Sequence, residues 1–475
     1  MVQELKHKLK SRIIMMNSPG RQEIFNILRQ KYPVFTYKKY SWEVVNNELL
    51  IRFYFFISPD HVFTPSYKIA LNGYHLPPRP LLDCIVFHIG MVESISYWKA
   101  TCSPVLHVKG VTLNADQVDW WKDLFYNGLG EFLYLNRISV DKKSLLEITT
   151  DKNGSDLSSA DNQSPHLHDE TLIPVGGGKD SAVTLSLLKD TLAGCTPLTI
   201  NEIPASTRTV DVAGLSGQTL QIKRKLDTHL LDMNRQGFLN GHTPFSAMLA
   251  FVSLLASVVT AKKNIALSNE SSANEPTIPG TSINHQYSKS LEFENSFRDY
   301  VFRYIHPEIN YYSFLRPLNE LQISGLFAHQ TNHHYTFRSC NAGSKQDRWC
   351  CNCPKCLFTY IMLSPFLSTE KLVNIYGNDL FENRDLLSTL KQLAGFSDEK
   401  PFECVGTIDE VNAALCYTIK HHYKNRSLPF LLSTYNDIKD FGDCNLQYLL
   451  ENWNSENYLS GDLGTFLNSK IRELW

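Results

Sequence analysis

An apolar strand runs directly into three glycines in Ile173-Pro174-Val175-Gly176-Gly177-Gly178-Lys179-Asp180-Ser181, and no other stretch narrows the folding options of this chain as far. Without Cβ atoms at three successive positions, the backbone can turn tightly and aim its N–H groups at one anion. The following Ala182-Val183-Thr184-Leu185-Ser186-Leu187-Leu188 predicts a helix whose positive N-terminus faces the same point. Strand, glycine turn and helix in that order open a parallel α/β sheet, with the ligand at the C-terminal edge of the strand. Gly176, Gly177, Gly178, Lys179, Asp180 and Ser181 are therefore the expected phosphate site and ATP the expected ligand, with Asp180 placed to hold a bridging Mg²⁺.

Two other glycine patterns do not fit. A Walker loop needs Gly six positions before Lys179 and Ser or Thr after it, but Ile173 and Asp180 stand there. A dinucleotide fingerprint wants a third glycine where Ser181 stands. The stretch instead resembles the Ser-Gly-Gly-x-Asp-Ser loop of the PP-loop ATPases, with Gly176 in place of the first serine. That resemblance implies cleavage of ATP between the α and β phosphates.

Around this loop the pattern alternates as a doubly wound sheet requires: strand 171–175, helix from Asp180, strand Pro197 to Ile203, helix from Pro244, strand Asn264 to Ser268. The polar run from Thr149 to Glu170 is too poor in apolar residues to build a core and reads as a linker. Before it, strand-like Leu49–Ile57 and Ser66–Leu71 and helix-like Leu81–Lys99 and Asp116–Phe125 predict an α+β domain over 1–148. The expected organisation is thus 1–148, a linker at 149–170, an ATP-binding domain at 171–395 and a helical extension at 396–475.

At 475 residues, with 46 Lys plus Arg against 48 Asp plus Glu, the chain has no global charge that would attract nucleic acid. Met1-Val2-Gln3-Glu4-Leu5-Lys6 lacks an apolar signal core, so a cytoplasmic location is expected and the cysteines are read as thiols or metal ligands rather than disulfides. Val2 after the initiator Met leaves no N-terminal nucleophile for an amidotransferase. Phe245 to Ala261 is uncharged, but its serines and short span favour a buried helix over a membrane span, with Lys262-Lys263 in its last turn.

Five of the eleven cysteines fall between Cys340 and Cys356, which argues against chance. Cys340, Cys350, Cys353 and Cys356 can close a tetrahedral Zn²⁺ site, with an iron–sulfur cluster as the alternative, leaving Cys351 spare. Four thiolates leave no open coordination position, so the ion is assigned to folding. Between loop and cysteines, Ser268-Asn269-Glu270-Ser271-Ser272-Ala273-Asn274 and Ser282 to Glu294 are dense in hydrogen-bonding side chains at the same sheet edge. Glu270, His285 and Lys289 are the candidate catalytic or metal-binding groups there, together with Asp180 of the loop. Glu294 is a candidate base or cap, Arg316 a candidate anion clamp, and 240–244 and 315–320 weaker candidate stretches.

Ser268-Asn269-Glu270-Ser-Ser-Ala-Asn, Asn284-His285-Gln286-Tyr287-Ser288-Lys289-Ser290, Cys340-Asn341 and Cys353-Pro354-Lys355-Cys356, with His88 to Lys99 and Gly128-Leu-Gly130-Glu131-Phe132, resemble the UDP-N-acetyl-α-D-muramoyl-L-alanyl-L-glutamate epimerases. The resemblance implies inversion of the terminal L-glutamate of a UDP-MurNAc dipeptide, with ATP consumed and AMP and diphosphate released. The alternative is a PP-loop enzyme that adenylates a base or deazapurine carboxylate, since the four-cysteine spacing also resembles that of the 7-cyano-7-deazaguanine synthases. A nucleotide-sensing zinc scaffold would bind ATP without turnover.

Overall fold

The computed structural model describes residues 20–157, 166–278, 280–281, 283–340, 342–343, 346–439 and 444–474. Ser282, Asn341 and linker residues 158–165 lie outside them. Thirteen strands are described: β1 Val34–Val45, β2 Glu48–Ile57, β3 His61–Phe63, β4 Ser66–Ala70, β5 Val105–Val108, β6 Val111–Thr112, β7 Glu147–Thr150, β8 Ser155–Asp156, β9 His168–Pro174, β10 Thr196–Ile200, β11 Leu220–Lys225, β12 Lys262–Leu267 and β13 Asn310–Ser313.

Eleven strands form one sheet in the order β13-β12-β9-β10-β11-β4-β2-β1-β5-β7, with β3 beside β2. From β13 to β11 the pairings are parallel, as the alternating pattern predicts. At β11 the direction reverses: Ile222 to Lys225 pair antiparallel with Ile69 to Ser66 of β4. The N-terminal strands thus extend the sheet of the glycine-turn half edge to edge, which no local pattern encodes. In β2 the sequence ELLIRFYFFI buries every second residue, the period-2 signature of a half-buried strand.

Helix Arg79–Trp98 is buried on nearly every side and shares one core with β1, β2 and helix Phe245–Val259. Gly90 makes that packing possible, because a Cβ there would stand 1.9 Å from the Tyr37 hydroxyl. This helix is apolar and long enough to cross a membrane, yet 89% of its apolar window is buried within the protein. Phe245–Val259 has 15 residues and is likewise mostly buried. Its end differs from expectation: the helix stops at Val259, and Lys262 and Lys263 open β12 instead, where Lys262 pairs with Glu170. A second core lies under helix Lys179–Lys189 and the helices beyond β13. Cys416 and Cys444 form a disulfide, against the reading of all cysteines as thiols or ligands. That pair joins helix Ile408–Tyr417 to the residue preceding the cap of helix Leu446–Glu451.

Candidate active site

β9 delivers the glycines to the C-terminal edge of the sheet, where Val175 N–H donates to Leu198 O at 2.8 Å. Gly177 has φ +84°, and a Cβ there would lie 2.5 Å from Ser206 N and 2.7 Å from Ala205 C, so only glycine fits. Ser181 Oγ accepts from Gly177 N–H at 3.2 Å and donates to Gly178 O at 3.0 Å, which closes the turn. Among the described residues no side chain caps helix Lys179–Lys189. A Cβ at Gly176 would meet nothing within 4 Å among the described residues, so a larger side chain would fit there.

The loop borders a cavity of about 520 Å³ that also receives Glu270, His285, Lys289, Glu320, Lys355 and Cys404. Carboxylate oxygens of Asp180, Glu270 and Glu320 approach within 4.8 Å of one another. Lys179 does not point its ammonium into open space; it sits buried between Asp180 and Glu320. Burial alone would lower its pKa, but the two carboxylates outweigh that and hold it above the usual lysine range. Burial raises Glu270 and Glu320, with Lys289 and Lys179 respectively opposing it. Glu270 is 2% exposed and its Oε2 has no hydrogen-bond partner among the described residues. An orphaned buried carboxylate oxygen among three acids is a donor set that suits a hard divalent cation.

On the cavity wall, His285 pairs with Glu131 through Nδ1, and His242 approaches the same Glu131 oxygen at 3.3 Å. Burial would lower the His285 pKa, but hydrogen bonds to Cys404 and Glu131 raise it to about 9. Burial and the charged His285 push His242 down to about 4. Burial would raise Cys404, yet Lys289, Lys355 and His285 bring it well below the usual thiol range. The wall thus sets a thiol and an imidazole that favour each other's charged forms beside a second imidazole held toward its neutral form.

Cys340, Cys350, Cys353 and Cys356 converge at Sγ separations of 3.5 Å for 353–356, 3.7 Å for 350–356 and 3.9 Å for 340–353. A tetrahedron of ~2.3 Å Zn–S bonds has edges of about 3.8 Å, so the sulfurs fit that ion. Cys351 is turned away at φ +56° and directs its thiol to Tyr376 O, the spare role expected of it. The segment leading into these cysteines packs on the glycine turn: Arg338 N–H donates to Gly177 O at 2.8 Å, and Ser339 stands over Gly178.

All four candidate catalytic residues, Asp180, Glu270, His285 and Lys289, meet in one cavity, although they come from two distant segments, the start of helix Lys179–Lys189 and the connection between β12 and helix Leu291–Tyr304. Other polar residues of these stretches support the loops themselves: Asn284 donates to Ala273 O, Asn269 to Ser313 Oγ, and Ser290 caps helix Leu291–Tyr304. Arg316 is no anion clamp. It is fully buried and donates to Glu270 O, Lys289 O and Glu294 Oε2, holding both cavity loops from behind. Glu294 also accepts from Ser313 N–H, so it is neither base nor cap. Glu320 and His242, from the weaker stretches, reach the site. The Asn319-x-x-Gln322 capping box that places Glu320 at a helix start was a readable signal. Cys404 had none: it lies in a tail without motifs, anchored where Gln286 donates to Val405 O and Glu410 accepts from Glu320 N–H.

Fold and cavity together define a mostly parallel α/β protein with a glycine turn and a cluster of titratable side chains at one sheet edge. A family model described as MurL N-terminal domain matches residues 26–314, and one described as MurL C-terminal domain matches 332–446. The chain belongs to the MurL family. Three similar proteins bear the name UDP-N-acetyl-alpha-D-muramoyl-L-alanyl-L-glutamate epimerase, an isomerase of peptidoglycan precursors. That of Xanthomonas oryzae pv. oryzae is 33% identical over 68% of this chain and 72% of its own length. Those of Micromonospora sp. and Salinispora tropica are each 31% identical over 81% of this chain, and over 87% and 85% of their own lengths. No solved structure matches the chain.

Proposed function

We propose that this protein inverts the terminal L-glutamate of UDP-MurNAc-L-Ala-L-Glu by way of an acyl-adenylate, releasing AMP and diphosphate. The observation that carries this reading is the shared cavity: an uncapped helix start behind a glycine turn opens onto the same space as Glu270, His285 and Lys289. Removing a Cα proton beside an ionised carboxylate places a second negative charge next to the first. Adenylation removes that obstacle, because the acyl carbonyl then accepts the charge as an enolate.

Gly176 to Ser181 would hold the diphosphate that leaves, through backbone N–H groups. Asp180, Glu270 and Glu320 would hold Mg²⁺, which offsets phosphate charge when bound. The four cysteines would hold Zn²⁺ in a purely structural capacity. Lys289 would neutralise the substrate carboxylate before activation. A cytoplasmic location accords with the need for ATP. The decisive measurement incubates the protein with Mg-ATP and UDP-MurNAc-L-Ala-L-Glu in D₂O. Deuterium at the glutamate Cα and D-glutamate after hydrolysis are the expected result; their absence would overturn the reading.

A further inference from the structure

Cys404 belongs to no motif and is supplied by the segment between helices Leu387–Leu393 and Ile408–Tyr417. That segment is fixed from several directions. Lys400 pairs with Glu275 and donates to Gly406 O, Phe402 packs on Tyr134, and Thr407 with Glu410 forms a capping box. Fixing it brings one thiol to the wall of the cavity that contains the phosphate turn. There it shares the wall with His285, which acts on its charge and pairs through Nδ1 with Glu131, so a thiol, an imidazole and a carboxylate from three distant parts of the chain come together. The orphaned Glu270 Oε2 borders the same space, an independent sign that a ligand completes it.

We propose that the Cys404 thiolate is the base that removes the glutamate Cα proton, with His285 and Glu131 as positioning residues. The proposal deepens the adenylation reading and rests on it. The sulfur lone pair forms an S–H bond while the Cα–H electrons enter the acyl group as an enolate. Solvent water protonates Cα from the opposite face and becomes hydroxide, which takes the thiol proton and restores thiolate and water. Thiolate is a suitable base for this step: sulfur desolvates easily, and an activated acyl Cα–H needs only a moderate base. The groups facing the sulfur set its charge: Lys289 and Lys355 as cations, His285 as a donor, and Glu270 as the opposing acid across Lys289.

The test compares wild type with Cys404→Ser in two assays on the full chain, substrate-dependent exchange of labelled diphosphate into ATP and deuterium wash-in at Cα. The expected result is a split, with deuterium wash-in falling about 100-fold or more beyond any fall in diphosphate exchange, the scale of one acid–base group. Equal loss in both assays, or wash-in within about threefold of wild type on that same scale, overturns the proposal. Wild type without diphosphate exchange overturns the adenylation reading itself, which separates the two failures. Should the serine variant not fold, iodoacetamide on wild type at pH 6.5 replaces it. Mapped alkylation of Cys404 should produce the same split, and an unreactive Cys404 refutes the thiolate.

Discussion

At the scale of single residues, backbone conformation and charge make separate demands. Gly177→Ala would force a Cβ against the backbone of Ala205 and Ser206 at a left-handed φ. The expected cost is about 1–3 kcal/mol of stability, read in a urea melt, together with weakened binding of an ATP analogue. Asp180 lies part-exposed at the cavity edge, and Asp180→Ala should lower AMP release about 10²–10³-fold, the size of losing one electrostatic stabiliser. His285 has a pKa raised from 6.5 to about 9, so the stability its charge contributes is complete below about pH 6.5 and is lost as pH rises through 9. The denaturation midpoint of wild type should therefore exceed that of His285→Gln by more at pH 6 than at pH 9.5. The glycines were legible because their residue type states its own backbone requirement. The charge states of His285 and Cys404 were not, since each depends on neighbours more than a hundred residues away.

Elements show the same division. Period-2 and helical patterns predicted β2, β4, β9, β10 and β12 and helices Arg79–Trp98 and Phe245–Val259 within a few residues. They left out β1, at 12 residues the longest described strand, and the shorter β3, β5, β6, β7, β8, β11 and β13, where pairing with neighbours as well as composition makes the strand. The cysteine-bearing segment was legible through its spacing, but its position against the phosphate turn was not. Because Arg338 and Ser339 sit on Gly177 and Gly178, chelation of a bound metal should loosen the turn as well as the segment. The expected signature is a lower Tm and weaker nucleotide binding in parallel with Zn²⁺ release measured by elemental analysis.

For the whole molecule, one continuous sheet joins the N-terminal strands to the glycine-turn half. The joint is reinforced by Arg224, which donates twice to the fully buried Glu93 at 2.9 Å, while Tyr67 donates to the same carboxylate at 2.6 Å. Arg224→Ala should cost about 3–5 kcal/mol, because it strands a buried carboxylate, and calorimetry should still show one transition. Resemblance had singled out Glu93 and Glu131 without saying what they do; the fold gives one to the joint and the other to His285. By itself the sequence determined the glycine turn, the cysteine cluster and the parallel half of the sheet, because each is written in residues close together in the chain. Only the tertiary structure decided that the N-terminal strands continue that sheet, that Arg316 is a strut, and that Cys404 belongs to the site. Strand edges, buried ion pairs and cavity walls are made by residues far apart in sequence, so their chemistry exists only once the chain has packed.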